Sequence, residues 1–308
     1  FLITISYSNK SVGIEINQLF NIIHGNTSMY NNVRVTEVKL NSELMKSFPG
    51  PKFGMVGIRN IIGHKNSILC PVLKPQGLSS DELASLAYDF LISGADMIKE
   101  DHNLTNQTFS SFRDRIEKIT KLVHKANKET GKKSMYIPHI SSNFENIIDD
   151  IEFAIEAGVD GIMLIPSLIG YNFIHNISKN KKYNFPILSH PSFSGGHVLS
   201  KYHGINHGVY YGTLQRLIGA DMSIFPNFGG RFEFTKDECL EISLRCRETN
   251  GIGKSIFPAV GGGMSIKTAN EMRSMFGKDA VFLLGGGLIK YRDTMKNVIS
   301  DIRNILDS

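Results

Sequence analysis

The feature that most constrains this 308-residue chain is an alternation. From Ile68 onward, short β-rich apolar runs take turns with longer helical patterns, the signature of successive βα units feeding a parallel sheet. Eight runs are readable: Ile68 to Lys74, Met97 to Asp101, Met135 to Ile140, Gly161 to Pro166, Pro186 to His190, Met222 to Asn227, Ser255 to Val260 and Val281 to Gly286. Three are introduced by one punctuation, Gly94-Ala95-Asp96, Gly158-Val159-Asp160 and Gly219-Ala220-Asp221. There Gly ends a helix and Asp turns the chain into the next strand. Ser79-Ser80-Asp81-Glu82 and Thr235-Lys236-Asp237-Glu238 read as capped helix starts. Eight such units close into a (β/α)8 TIM barrel. An open doubly wound sheet would have fewer strands and a Gly-rich nucleotide loop after the first, and Lys74-Pro75-Gln76-Gly77 is not that loop.

Residues 1–48 read differently, as the end of a small α+β amino-terminal domain. A strand at Phe1 to Ile5, a helix near Ile16 to Ile23 and a second strand near Val33 to Leu40 are expected, with Phe48-Pro49-Gly50-Pro51 as the linker to a barrel over 49–308. The chain opens on Phe1 rather than Met, and the expectation is a fragment lacking an amino-terminal part.

Charge narrows the partners. The net +5 is spread without basic runs, which argues against a nucleic-acid or membrane-surface binder and suits attraction of a phosphorylated anion. Cys70, Cys239 and Cys246 have no metal-ligand spacing and are odd in number, so a disulfide framework is not expected and the chain reads as cytoplasmic. No apolar run reaches the roughly 18 residues that span a bilayer.

In a barrel of this kind the chemistry sits where the strands end. Lys74 ends the first strand, Lys99-Glu100-Asp101-His102 the second, His139 the third and His190 the fifth; Asn227 ends the sixth, with Arg231 just beyond. Alternation puts Lys99 and Asp101 on one face of their strand, pointing into the barrel mouth, either as an ordinary ion pair or as metal or acid–base groups. Lys74 is either a solvated strand-end lysine or one whose pKa burial lowers so that it can take a proton. His139 and His190 are as readily structural as catalytic. Gly261-Gly262-Gly263 and Gly285-Gly286-Gly287 follow the last two strands, where glycines let backbone N–H groups approach a phosphate.

These segments together resemble the ribulose-bisphosphate carboxylase large-chain superfamily, and more closely its RuBisCO-like, non-carboxylating form IV members. The resemblance is carried by Gly50-Pro51-Lys52-Phe53-Gly54, Leu73-Lys74-Pro75 with Gly77-Leu78-Ser79, the Gly94 to His102 segment, Phe112-Arg113-Asp114-Arg115 and the two triple glycines. It implies roles for matching positions. Lys74 matches a proton-abstracting lysine, Lys99 a lysine that carbon dioxide carbamylates so that it ligates Mg2+, and Asp101 a metal carboxylate. Gly262, Gly263, Gly286 and Gly287 fall on the phosphate-binding backbone, and His190 on a strand-five histidine. Asn26 matches an asparagine lent to the neighbouring subunit, which implies a homodimer with shared active sites.

The departures matter as much. His102 stands where carboxylases carry a second metal carboxylate, and magnesium prefers oxygen, so the metal site (Lys99, Asp101, His102) is altered. Pro191 and Ile224 stand where carboxylases hold their second phosphate with an arginine and a histidine, and Gly230-Arg231 falls near their mobile-loop lysine. The expectation is magnesium-assisted enolisation of a keto-sugar or keto-sugar acid carrying one phosphate, not carbon dioxide fixation. Lys74 is then the base, His190 and His102 proton shuttles and Arg231 a contact to a substrate anion. The matching branch includes isomerases of methylthioribulose phosphate and decarboxylases or hydrolases of oxo-isoapionate phosphate. A methionine-salvage enolase, a true carboxylase and a catalytically silent sugar-phosphate-binding protein stand as alternatives.

Overall fold

A computed structural model describes residues 1–249, 252–291 and 294–308. All eight expected strands form, in the expected places: Ile68–Leu73, Met97–Glu100, Met135–Ile137, Ile162–Leu164, Ile187–Ser189, Met222–Pro226, Phe257–Gly261 and Val281–Leu284. In chain order these are the first to eighth strands of the barrel. Every pairing between them is parallel, in the order third, second, first, eighth, seventh, sixth, fifth, fourth. A parallel bridge between His139 and Met163 joins the two ends of that order and closes the (β/α)8 barrel.

The recurrent aspartates explain how the units lock at the amino-terminal end of the barrel. Asp96 accepts the Leu69 N–H, Asp160 the Tyr136 N–H and Asp221 the Ile187 N–H, each at 2.9 Å. Each carboxylate thus satisfies a backbone donor of the preceding barrel strand, which the parallel ladder would otherwise leave open. The glycine two residues earlier has a left-handed φ in all three turns, +112° at Gly94, +90° at Gly158 and +89° at Gly219. The capping boxes expected at Ser79/Glu82 and Thr235/Glu238 are both present.

Alternation along the strands sorts the apolar residues into two cores. Cys70, Met97, Ile137, Met163, Leu188, Met222, Phe257 and Leu283 fill the barrel interior, while Leu69, Ile98, Tyr136 and Phe282 face the surrounding helices. The interior is therefore packed, and only its carboxyl-end mouth is open to chemistry. Among the described residues no helix is long and apolar enough to cross a membrane.

The amino-terminal segment departs from expectation in two places. The helix forms, Ile16–His24, but Phe1 to Ile5 are exposed and make no strand, since an apolar run needs a partner strand and none pairs with them among the described residues. The second expected strand shrinks to Arg34–Val35, which pairs in parallel with Gly204–Ile205 of the loop after the fifth strand. Val12, Ile16, Leu19 and Leu44 join the outer core of the barrel, and Phe48 is fully buried.

Candidate active site

The second strand supplies the centre of the mouth. Its register sets Lys99 beside Val72, so the Lys99 and Asp101 side chains open inward next to Lys74 at the end of the first strand. Asp101 pairs with Lys74 and not with Lys99: Lys74 Nζ lies 2.6 Å from Asp101 Oδ2. Burial raises the Asp101 carboxyl, but hydrogen bonds from Lys74 and from the Asn103 N–H (2.9 Å) outweigh it and hold the pKa below its ordinary value. Lys99 is 3% exposed, and its Nζ donates to the Glu100 carbonyl at 2.8 Å. Burial lowers its pKa from 10.5 to about 8.

Three histidines complete the cluster. His102 and His190 are stacked, ring centroids 4.3 Å apart and planes at 16°, and His102 Nδ1 is 3.4 Å from Asp101 Oδ1. Burial holds both below 6.5, His190 far below, with the positive charges of Lys99 and Lys74 acting in the same direction. The Ser192 N–H donates to His190 Nδ1 at 3.2 Å, which leaves the proton of the neutral ring on Nε2. His139 bonds the Leu104 carbonyl through Nδ1 (2.9 Å), and its buried Nε2 has no partner among the described residues. Burial pulls its pKa down to about 4.

Sequence reading gave Glu100 no role. It points outward, fully buried, and receives Arg115 Nε at 2.6 Å, Arg115 Nη2 at 3.3 Å, the Tyr136 hydroxyl at 2.7 Å and the His139 N–H at 3.0 Å. One carboxylate thus fixes the ends of the second and third strands behind Lys99 and His139. The usable signal was Phe112-Arg113-Asp114-Arg115, whose second arginine turns out to be buried.

The two glycine clusters are not equivalent. Gly262 (φ +93°) and Gly263 (φ +73°) need the left-handed freedom of glycine, and a Cβ on Gly262 would meet nothing within 4 Å. Thr268 Oγ1 at the start of the helix Ile266–Phe276 donates to the Gly263 carbonyl at 2.6 Å. Gly286 and Gly287 open a short 3-10 turn, Gly286–Tyr291, without left-handed φ. Arg231 lies exposed over the Phe232 ring at 4.7 Å and acts electrostatically on His102. Asn26 is exposed in the turn Asn26–Met29 and makes no side-chain hydrogen bond among the described residues. Lys74, Lys99, Asp101, His102, His139 and His190 therefore come together; Asn26 does not join them.

Comparison with known proteins places the chain in a family. The family described as "Ribulose bisphosphate carboxylase large chain, catalytic domain" matches residues 54–307. The chain belongs to the ribulose bisphosphate carboxylase large-chain family. Within it, this RuBisCO-family chain falls in the RuBisCO-like, non-carboxylating form IV branch. It is 31% identical to the 5-methylthioribulose-1-phosphate isomerase of Rhodospirillum rubrum over 300 residues, 96% of this chain and 78% of that protein. It is 26% identical to the 2,3-diketo-5-methylthiopentyl-1-phosphate enolase of Bacillus velezensis, over 93% of this chain and 71% of that protein. A crystal structure of a Rubisco-like protein from Rhodopseudomonas palustris superposes with a TM-score of 0.87 at 29% identity, over 97% of this chain and 81% of that one.

Proposed function

We propose that this chain enolises a keto-sugar or keto-sugar acid bearing one phosphate, and completes the reaction as an isomerase or decarboxylase rather than by fixing carbon dioxide. The observation that carries the reading is the Lys74–Asp101 pair at 2.6 Å, with buried Lys99 beside it and the His102–His190 stack facing it. The isomerase and enolase relatives support the reaction class.

Lys74 removes the proton from the carbon next to the carbonyl. The electron pair released forms the carbon–carbon double bond of the enediol, and the carbonyl oxygen takes up a proton. His102 takes that proton from water and passes it on, returning to its neutral form, while the neutral His190 ring donates its Nε2–H as a hydrogen bond to the same oxygen. Return of a proton to the neighbouring carbon gives the isomer; in an acid substrate the bond from the carbon next to the carbonyl to its carboxylate breaks instead, its electron pair forming the same enediolate as carbon dioxide leaves, and protonation on carbon gives the alternative product. The Gly262-Gly263 and Gly286-Gly287 backbones hold the phosphate, and Arg231 meets a second anionic group of an acid substrate.

Magnesium prefers oxygen donors. Among the described residues no group of three or more His, Cys, Asp or Glu is placed to hold a metal ion, so an oxygen site here depends on Lys99. Lys99 fits that need: a buried amine with its pKa lowered to about 8 offers the neutral nucleophile that attacks carbon dioxide, on the same strand face as Asp101. Carbamylated Lys99 and Asp101 would hold Mg2+, with His102 as a neighbouring nitrogen. Bound there, Mg2+ would supply positive charge beside the enediolate oxygen.

The assembly we infer is a cytoplasmic homodimer, with 1–48 as the end of a small α+β domain and 49–308 as the barrel. Exposed, unbonded Asn26 is the residue offered to the partner's site. The test is Lys74→Met and Lys99→Ala, assayed for proton exchange on ketose monophosphates. Loss of at least about a thousandfold in each is expected of a base and a metal-site residue. Wild-type turnover in either variant contradicts the assignment.

A further inference from the structure

Behind His190 lies a small cavity that the reaction described above does not use. Its apolar walls are Pro166 and Pro191, just beyond the fourth and fifth strands, and Ile224 in the middle of the sixth. Its polar lining includes Tyr210, Tyr211 and Gln215. Tyr210 and Tyr211 belong to a π-helical turn, Val209–Leu214, every residue of which is buried, and Gln215 follows it directly. Such turns are rare and recur at functional sites, because the extra residue re-aims side chains. The turn packs tightly: a Cβ on Gly212 would lie 2.4 Å from Arg245 Cβ.

The hydroxyls around the cavity are already engaged with one another. Tyr210 bonds Tyr171 (2.5 Å) and Ser167 (2.8 Å), and Tyr211 bonds Ser194 (2.6 Å). Gln215 is only half satisfied. Its Nε2 donates to the Tyr210 carbonyl at 3.1 Å, which orients the amide, while its Oε1 is buried with no partner among the described residues. Gln215 is 2% exposed, so bulk water does not reach that oxygen freely. A buried acceptor in this state calls for a donor.

Size and charge narrow the donor. The centre of a water molecule can sweep about 10 Å³ of the cavity, room for one water-sized group. Among the described residues no lysine or arginine lines it to balance a phosphate dianion. His190 faces both this cavity and the Lys74–Asp101–His102 cluster, which makes the two spaces adjoin.

We propose that this cavity is a specificity subsite for the end of the sugar chain remote from its phosphate, and that it takes a terminal hydroxyl, donated to Gln215 Oε1, in preference to phosphate or methylthio. The proposal rests on the keto-sugar phosphate reading of the same site. It separates this chain from its relatives named for methylthio substrates by a group that can be varied one atom at a time.

The test uses four inert pentitol 1-phosphates, alike except for hydroxyl, hydrogen, methylthio or phosphate at carbon 5, titrated calorimetrically into the full chain. They lack the carbonyl, so binding is read without turnover. The hydroxyl compound is expected to bind at least about tenfold tighter than the deoxy compound, as for a site built to bond a hydroxyl, and the bisphosphate weakest. In Gln215→Leu the hydroxyl-to-deoxy ratio should fall to about twofold or less. Equal binding of the hydroxyl and deoxy compounds by the unaltered chain, or tighter binding of the methylthio or phosphate compound, overturns the proposal, as does an unchanged ratio in folded Gln215→Leu. Should that variant not fold, the four-ligand series on the unaltered chain decides. Binding of none of the four would instead remove the sugar-phosphate reading, and the subsite with it.

Discussion

Replacing Arg115 by Met isolates what the buried carboxylate behind the active site contributes. Arg115 and Glu100 are both fully buried, and the guanidinium holds the carboxylate with two hydrogen bonds, at 2.6 and 3.3 Å. Burial disfavours the Arg115 cation, but Glu100 outweighs this and raises its pKa above the ordinary value. Methionine fills much of the volume but leaves Glu100 with only the Tyr136 hydroxyl and the His139 N–H as donors. Breaking a buried pair from one side costs about 3 to 5 kcal/mol, because the remaining charge is left uncompensated. For a barrel of this size that is a fall in Tm of roughly 5 to 15 °C, read by differential scanning calorimetry. Removing the charge as well, in Glu100→Gln with Arg115→Met, should recover about 1 kcal/mol or more, since the two substitutions act on one network. Glu100 also anchors the strand that carries Lys99 and Asp101, so proton exchange should fall in Arg115→Met even at temperatures where it is folded. A single-variant cost below about 1 kcal/mol, or strictly additive costs in the double variant, would refute the reasoning.

Other consequences can be measured directly. With Lys99 at a pKa of about 8, its neutral amine makes up about one tenth at pH 7, half at pH 8 and nine tenths at pH 9. The extent of bicarbonate-dependent activation should therefore rise between pH 7 and 9; activation that is flat over this range would contradict the carbamate role. Asp101→Asn removes the partner of Lys74 and an oxygen donor together, and should lower kcat for proton exchange by at least about a hundredfold, measured at saturating substrate. Gly262→Ala forces a side chain onto a φ of +93° and should cost about 1 to 2 kcal/mol of stability, read by urea unfolding, while raising KM for the phosphorylated substrate.

The barrel was legible because its cause is local. Each apolar run and each Gly-x-Asp turn carries its own instruction, and Asp96, Asp160 and Asp221 reach back only to the strand of the preceding βα unit. Lys74, Lys99, Asp101, His102 and His190 were legible because strand ends in such a barrel converge. The amino-terminal strand at Phe1 to Ile5 was not, since an apolar run becomes a strand only when another strand pairs with it. Arg34–Val35 finds its partner some 170 residues away, a distance no local pattern reports. Asp101 pairing with Lys74 rather than Lys99 was equally hidden, because it depends on the register of the first strand against the second. Glu100 alternates outward as expected, but nothing in Lys-Glu-Asp-His shows that Arg115 is buried behind it. The π-helical turn that carries Tyr210 and Tyr211 leaves no periodicity to read.

The central claim is enolisation at Lys74 supported by a carbamate–magnesium site at Lys99 and Asp101. Its most direct test is deuterium exchange from solvent into a panel of ketose monophosphates, followed by NMR with and without magnesium and bicarbonate. The account predicts exchange at the carbon next to the carbonyl that requires both additions and disappears in Lys74→Met. Exchange of equal rate without magnesium and bicarbonate would contradict the metal site and leave the chemistry to Lys74 and the histidines; no exchange under any condition would contradict the account as a whole.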